Sequence, residues 1–241
     1  MKKQLWVLFI LLIELFLSPA TKAQMFSVEK KERRSYSSNN YVRFGLAPST
    51  FKYKGNEDAL ALTNPLNFDD LIATFAFESY GFDLRVSFGN SITGMKNQNF
   101  FSLEFEFMNN FRIIRNKTVS AGPAFGINTE LTTVNKESTQ NDFNQTSFGI
   151  GFGAFLDLTL TKKIKLQNSV TPGYGFSTSD GGLFGGSLES ISTKSRLVFV
   201  QLLRNQNISL GYDYTFRSYD LDDDRFDYDL SSHLVTLGIS L

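Results

Sequence analysis

Residues 146–160 read TSFGIGFGAFLDLTL. After Thr146 the even positions, Phe148, Ile150, Phe152, Ala154, Leu156, Leu158 and Leu160, are all apolar; the odd ones are small or polar except Phe155. A period of two means a β-strand whose faces meet different surroundings. The run is also far longer than the five or six residues of an ordinary strand. It suits the tilted strand of about 9 to 11 residues that crosses a bilayer.

The same pattern extends outward from this stretch. Phe101, Leu103, Phe105 and Phe107 alternate with Ser102, Glu104 and Glu106, and Phe82, Leu84, Val86 and Phe88 alternate with Asp83, Arg85 and Ser87. A soluble sandwich also alternates, so the connections must decide. Short turns at 78–81, 113–117, 161–164 and 204–207 alternate with long polar segments at 54–69, 90–99, 135–145, 178–192 and 218–229. Short turns at one end and long loops at the other belong to a membrane-spanning barrel.

The breaks predict about ten strands, at 41–53, 70–78, 81–90, 99–112, 118–134, 146–160, 164–177, 192–203, 207–218 and 229–241. Eight or twelve stay open, because the segments around Pro48 and Leu197 alternate less cleanly. The expected class is all-β, a transmembrane antiparallel up-and-down β-barrel. An even count places both mature termini at the short-turn end.

Ahead of the strands stands MKKQLWVLFILLIELFLSPATKAQ. Lys2 and Lys3, an apolar run over 5–17 and a small-residue exit to Ala23 predict a signal peptide over 1–23. The apolar run contains Glu14 and falls short of the roughly 20 residues of a spanning helix. Residues 24–39, with Lys30, Lys31, Arg33 and Arg34, read as a periplasmic lead-in, and 40–241 as the barrel.

Loss of the leader takes three lysines and one glutamate, and moves the formal charge from 0 to −2. That balance leaves no footprint for nucleic acid. With no cysteine in the chain, thiol chemistry and disulfides are excluded.

On this pattern, residues 41–241 resemble the small outer-membrane β-barrel proteins of Gram-negative bacteria. The closing strand HLVTLGISL alternates through Val235, Leu237, Ile239 and Leu241. Many such proteins end in Phe, whereas this chain ends in Leu241. The resemblance implies an outer-membrane location, with membrane lipid and the barrel-assembly machinery as partners; a divalent cation at the clustered loop aspartates, or another envelope protein at the surface loops, is a further expected partner.

If the apolar face meets lipid, a mixed-sign lumen follows. It holds Arg43, Asp83, Arg85, Glu104, Glu106, Asp157, Asp213 and Arg217, with Glu78, Glu130, Lys165 and Gln167. Pairing 84 with 105 keeps lipid-facing residues opposite one another and sets Arg85 across from Glu104, a favourable cross-strand pair. A bore of this size is narrow, and Gly149, Gly151 and Gly153 are expected to relieve crowding in it more than to leave a cavity.

The remaining motifs are weak. GIGFGA lacks the strand-to-helix turn of a dinucleotide loop. TPGYGF matches a potassium filter only superficially, since no helices flank it. Tyr174 reads instead as an interfacial girdle residue, with Tyr41, Tyr53, Tyr80, Tyr212 and Tyr214.

YDLDDDRFDYDLSSH, residues 219–233, sets Asp220, Asp222 and Asp224 at EF-hand spacing. Arg225 stands where Gly is needed and Ser231 where a bidentate Glu is needed. Those three aspartates are kept as a weak surface site for a divalent cation. His233 follows Ser232 and precedes Leu234, so it has neither the adjacent Asp–His of omptin-like proteases nor the His and Ser two residues apart of lipid A deacylases. No catalytic residue and no cofactor is assigned. The leading expectation is a barrel with a side-chain-filled lumen in a structural or surface-interaction role. A narrow, porin-like conduit for a small solute or apolar ligand, and an outer-membrane hydrolase acting on lipid or peptide, are the alternatives.

Overall fold

The structure is a computed structural model, and it describes residues 40–56, 66–136, 142–179, 185–203, 206–221 and 226–241. The predicted signal peptide and lead-in lie outside these residues, as do Asp222 and Asp224.

The strands are β1 Tyr41–Tyr53, β2 Phe68–Ser79, β3 Phe82–Gly89, β4 Gln98–Asn110, β5 Ile114–Arg115, β6 Val119–Lys136, β7 Asp142–Thr159, β8 Ile164–Ser179, β9 Gly186–Leu203, β10 Gln206–Leu221 and β11 Tyr228–Ser240. All pairings are antiparallel between sequence neighbours, with two exceptions that define the wall. β1 pairs with β11, and β4 pairs directly with β6. The two-residue β5 pairs only with β6, at the start of that strand, and belongs to the turn. Ten strands therefore close the ring.

A single cross-strand row shows the closure. It runs from Tyr41 through Glu78, Asp83, Glu106, Asn128, Gly149, Gly175, Leu188, Tyr219 and Tyr228, and arrives at Tyr53. It leaves β1 at its first residue and returns at its last. That stagger is the tilt a closed barrel requires, and it removes every sheet edge.

Side chains sort by parity. Phe44, Phe75, Phe101, Phe148, Ile150, Phe152, Leu210 and Leu237 all point outward and are exposed, Phe152 to 67%. Inward, Arg43, Gln145, Asp213 and Thr236 are buried. This is a soluble protein turned inside out, and an outward apolar belt is what hydrocarbon requires. The chain is a transmembrane barrel.

Local chemistry explains the less regular places. Pro48 has no N–H to give, and the β1–β11 ladder skips Ala47 and Pro48 between Leu46↔Val235 and Ser49↔Ser232. Gly81, at φ 73°, makes the tight β2–β3 turn. In the β7–β8 wall a Cβ on Gly153 would collide with the Val170 carbonyl oxygen, so these strands approach too closely there for a side chain.

Candidate functional site

The lumen is the place where this fold brings chemistry together, and it is layered along the barrel axis. At the short-turn end a cavity of about 270 Å³ opens between Tyr41, Glu78, Asp83, Glu106, Arg112, Asp157, Lys165, Lys194 and Arg196. Above it lies a network of buried charges. Arg43 sits at its centre with no exposed surface. Its Nη2 donates to both Asp83 oxygens at 2.9 and 2.7 Å, its Nη1 to Asp213 at 3.3 Å, and its Nε lies 3.2 Å from Glu78.

Arg85 donates to Asp83 from Nε and Nη2 at 3.0 and 2.8 Å. It also lies 3.7 Å from Glu104, across the Leu84↔Phe105 register deduced from the hairpin. Arg217 lies 2.9 Å from Glu104 and 2.9 Å from Glu130. Lys194 pairs with Glu106 and Arg196 with Glu78. Desolvated ions hold together only when each has partners, and this lumen supplies them from β1, β2, β3, β4, β6, β9 and β10.

Beside the charges, on the wall built from glycine, serine and threonine, is a pocket of about 30 Å³. Gly126, Gly151, Gly173, Ser190 and Ser192 line it, with Glu104, Glu106 and Arg217 opposite. The glycines therefore do both things weighed from the sequence: they let strands approach and they leave a small polar gap.

The long-loop end is different in kind. Phe51 stacks on Tyr228 at 4.4 Å with planes 2° apart, stacks on Phe68 at 5.4 Å, and meets Phe143 edge-on at 5.0 Å. Phe143 in turn meets Tyr219 edge-on at 5.5 Å, and Phe68 meets Phe100 at 5.8 Å. Leu66, Met95, Val134, Leu188, Leu221 and Leu230 complete this buried cluster. The phenols sit at its margins, where their hydroxyls find partners. Tyr219 donates to Glu130 at 3.4 Å, Tyr53 donates to the Asn56 carbonyl at 3.1 Å, and Tyr228 accepts from the Leu66 N–H at 3.2 Å.

Two readings from the sequence change here. Tyr41 and Tyr53 point inward and are buried, so they are not girdle residues, whereas Tyr174 and Tyr212 are exposed on the outer face and Tyr80 is exposed in the β2–β3 turn at the rim of the short-turn cavity. Asp157 stands apart from the central ion pairs, in the wall of the short-turn cavity. Of the other lumenal residues named from the sequence, Arg43, Asp83, Arg85, Glu104, Glu106, Asp213 and Arg217 meet in one network. Lys194, Arg196 and the whole aromatic cluster were missed, although Phe51, Phe143 and Tyr219 share their strands' inward parity with Ser49, Gln145 and Arg217.

No protein-family model matches the chain, and no curated protein matches it. Among solved structures the chain is similar to the outer membrane protease OmpT from Escherichia coli, at 8% identity and TM-score 0.45, covering 85% of this chain and 96% of that one. It is similar to Ail, the attachment invasion locus protein of Yersinia pestis, at 12% identity and TM-score 0.29, covering 85% and 99%. A third is Neisserial surface protein A, at 10% identity and TM-score 0.30, covering 85% and 98%.

Asp220 is exposed on β10. Among the described residues no group of three or more His, Asp or Glu is placed to hold a metal ion. His233 is exposed on the outer face of β11; its Nδ1 is 2.8 Å from the Tyr212 hydroxyl, and its ring packs on Tyr214 at 4.9 Å.

Proposed function

We propose that this chain is an outer-membrane barrel whose filled bore passes no solute across the membrane, with a structural or surface-interaction role. The long loops face the exterior and both mature termini face the periplasm. The assembly machinery inserts it, and membrane lipid surrounds the apolar belt. The single observation that carries this reading is the aromatic cluster: its rings come from β1, β2, β4, β7, β10 and β11, so its centre belongs to the wall, and Leu66 and Met95 add to it from the flanking loops.

Below the cluster, opposite charges are paired at close range across the lumen, which leaves no wide aqueous path. The purified protein in planar lipid bilayers is expected to give no discrete current steps over the ordinary voltage range. Unitary openings of the unmodified chain would overturn the proposal. They would favour the narrow-conduit reading instead, toward which the 30 Å³ pocket next to the short-turn cavity is the supporting observation.

A further inference from the structure

The cavity at the short-turn end differs from the network above it in how its charges are used. Glu78 is engaged by Arg43 and Arg196, Asp83 by Arg43, Arg85 and Lys194, and Glu106 by Arg85 and Lys194. At the mouth the pairing stops. Among the described residues, no carboxylate lies within ion-pair distance of Arg112, which is exposed, or of Lys165, which is half-buried, and Asp157, in the same cavity wall, is paired to neither. The charges lining the cavity balance overall, Glu78, Asp83, Glu106 and Asp157 against Arg112, Lys165, Lys194 and Arg196, but these two cations are left without a direct ion-pair partner. Gln167 and Asn110, on the same walls, add amide donors.

We infer that this cavity is a binding site for a small hydrophilic solute bearing an oxyanion, a carboxylate or a phosphate, taken up from the short-turn side. An arginine fork and a lysine ammonium are the donors such a group takes, the first in two parallel hydrogen bonds and the second as a point charge. The volume, about 270 Å³, lies just below the 300 to 1,000 Å³ of drug-sized sites, which limits the ligand to a small molecule. The polar walls give an apolar ligand little to hold. Asp157 opposes the anion and sets an upper limit on affinity. The site is independent of the aromatic closure at the other end.

The test is calorimetric titration of the folded barrel in non-ionic detergent, with inorganic phosphate in one arm and succinate in the other. One saturable site is expected for at least one of them, and the arm that binds tells which oxyanion the solute bears. The Arg112→Gln/Lys165→Gln double variant should weaken that binding tenfold or more. Asp157→Asn should tighten it severalfold, a gain that simple damage to the wall would not produce. Each variant is checked for the folded state by its heat-modifiable gel mobility. Absence of saturable binding in both arms, unchanged affinity in the double variant, or weaker binding in Asp157→Asn would overturn the inference.

Discussion

Arg43 has no contact with water and lies within 3.3 Å of three carboxylates, Glu78, Asp83 and Asp213. Its removal would leave those acids and Glu106 sharing Arg85, Lys194 and Arg196, with a buried negative charge left over. Arg43→Met is therefore expected to destabilise the barrel by about 3–5 kcal/mol, the usual cost of orphaning one side of a buried ion pair. The shift of the denaturant midpoint for the refolded protein measures it. The inward placement of Arg43, Asp83 and Arg85 was legible from parity alone, because their strand neighbours on the other face are plainly apolar. Lys194 and Arg196 were not legible. Thr193 and Ser195, on the outer face of β9, are polar too, so the local sequence gives no contrast from which to read direction.

At the scale of the strand, β7 shows how one sequence serves two solvents. Phe152 is 67% exposed in the middle of the belt, while Gln145 and Ser147 are buried inside. Phe152→Arg should cost about 2–4 kcal/mol, the depth-dependent penalty of a cation on the lipid face. Unfolding in lipid vesicles would show it, and a change below about 0.5 kcal/mol would place Phe152 outside the hydrocarbon.

The upper part of the same strand turns Phe143 into the lumen with no exposed surface. Phe143→Ala should cost about 3–5 kcal/mol through lost burial and a cavity. It should also raise bilayer conductance above that of the parent chain, since the aromatic cluster stands across the bore there. Tyr53 shows why this cluster escaped the reading: a tyrosine near a strand end fits both an interfacial girdle and an inward-facing rim. Its burial and its edge-on contact with Tyr228 at 5.3 Å separate the two.

For the whole molecule, the orientation proposed above is open to a direct measurement. The chain contains no cysteine, so a single introduced thiol can be labelled cleanly. Ile92, 86% exposed in the β3–β4 loop, and Lys162, exposed in the β7–β8 turn, lie at opposite ends. In intact cells an impermeant reagent should label Ile92→Cys and spare Lys162→Cys. The reverse pattern would invert the barrel and turn the oxyanion cavity outward.

The sequence by itself determined where most of the strands lie, the register of the β3–β4 hairpin and, where the alternation is clear, the face a strand presents to lipid. Those features depend only on a period of two and on turn chemistry, both local along the chain. It left the strand count open at Pro48 and Leu197; closure of the ring, with β1 on β11 and β4 on β6, fixed it at ten. Only the tertiary structure decided what the lumen contains. Parity says that Arg43 and Asp213 both point inward, but not that they meet across 170 residues of chain at 3.3 Å. It likewise leaves Phe51, Phe143 and Tyr228 as three separate inward rings. The stagger of a closed, tilted barrel sets the height of every inward side chain, and height is what sorts them into an oxyanion cavity, a charge network and an aromatic closure.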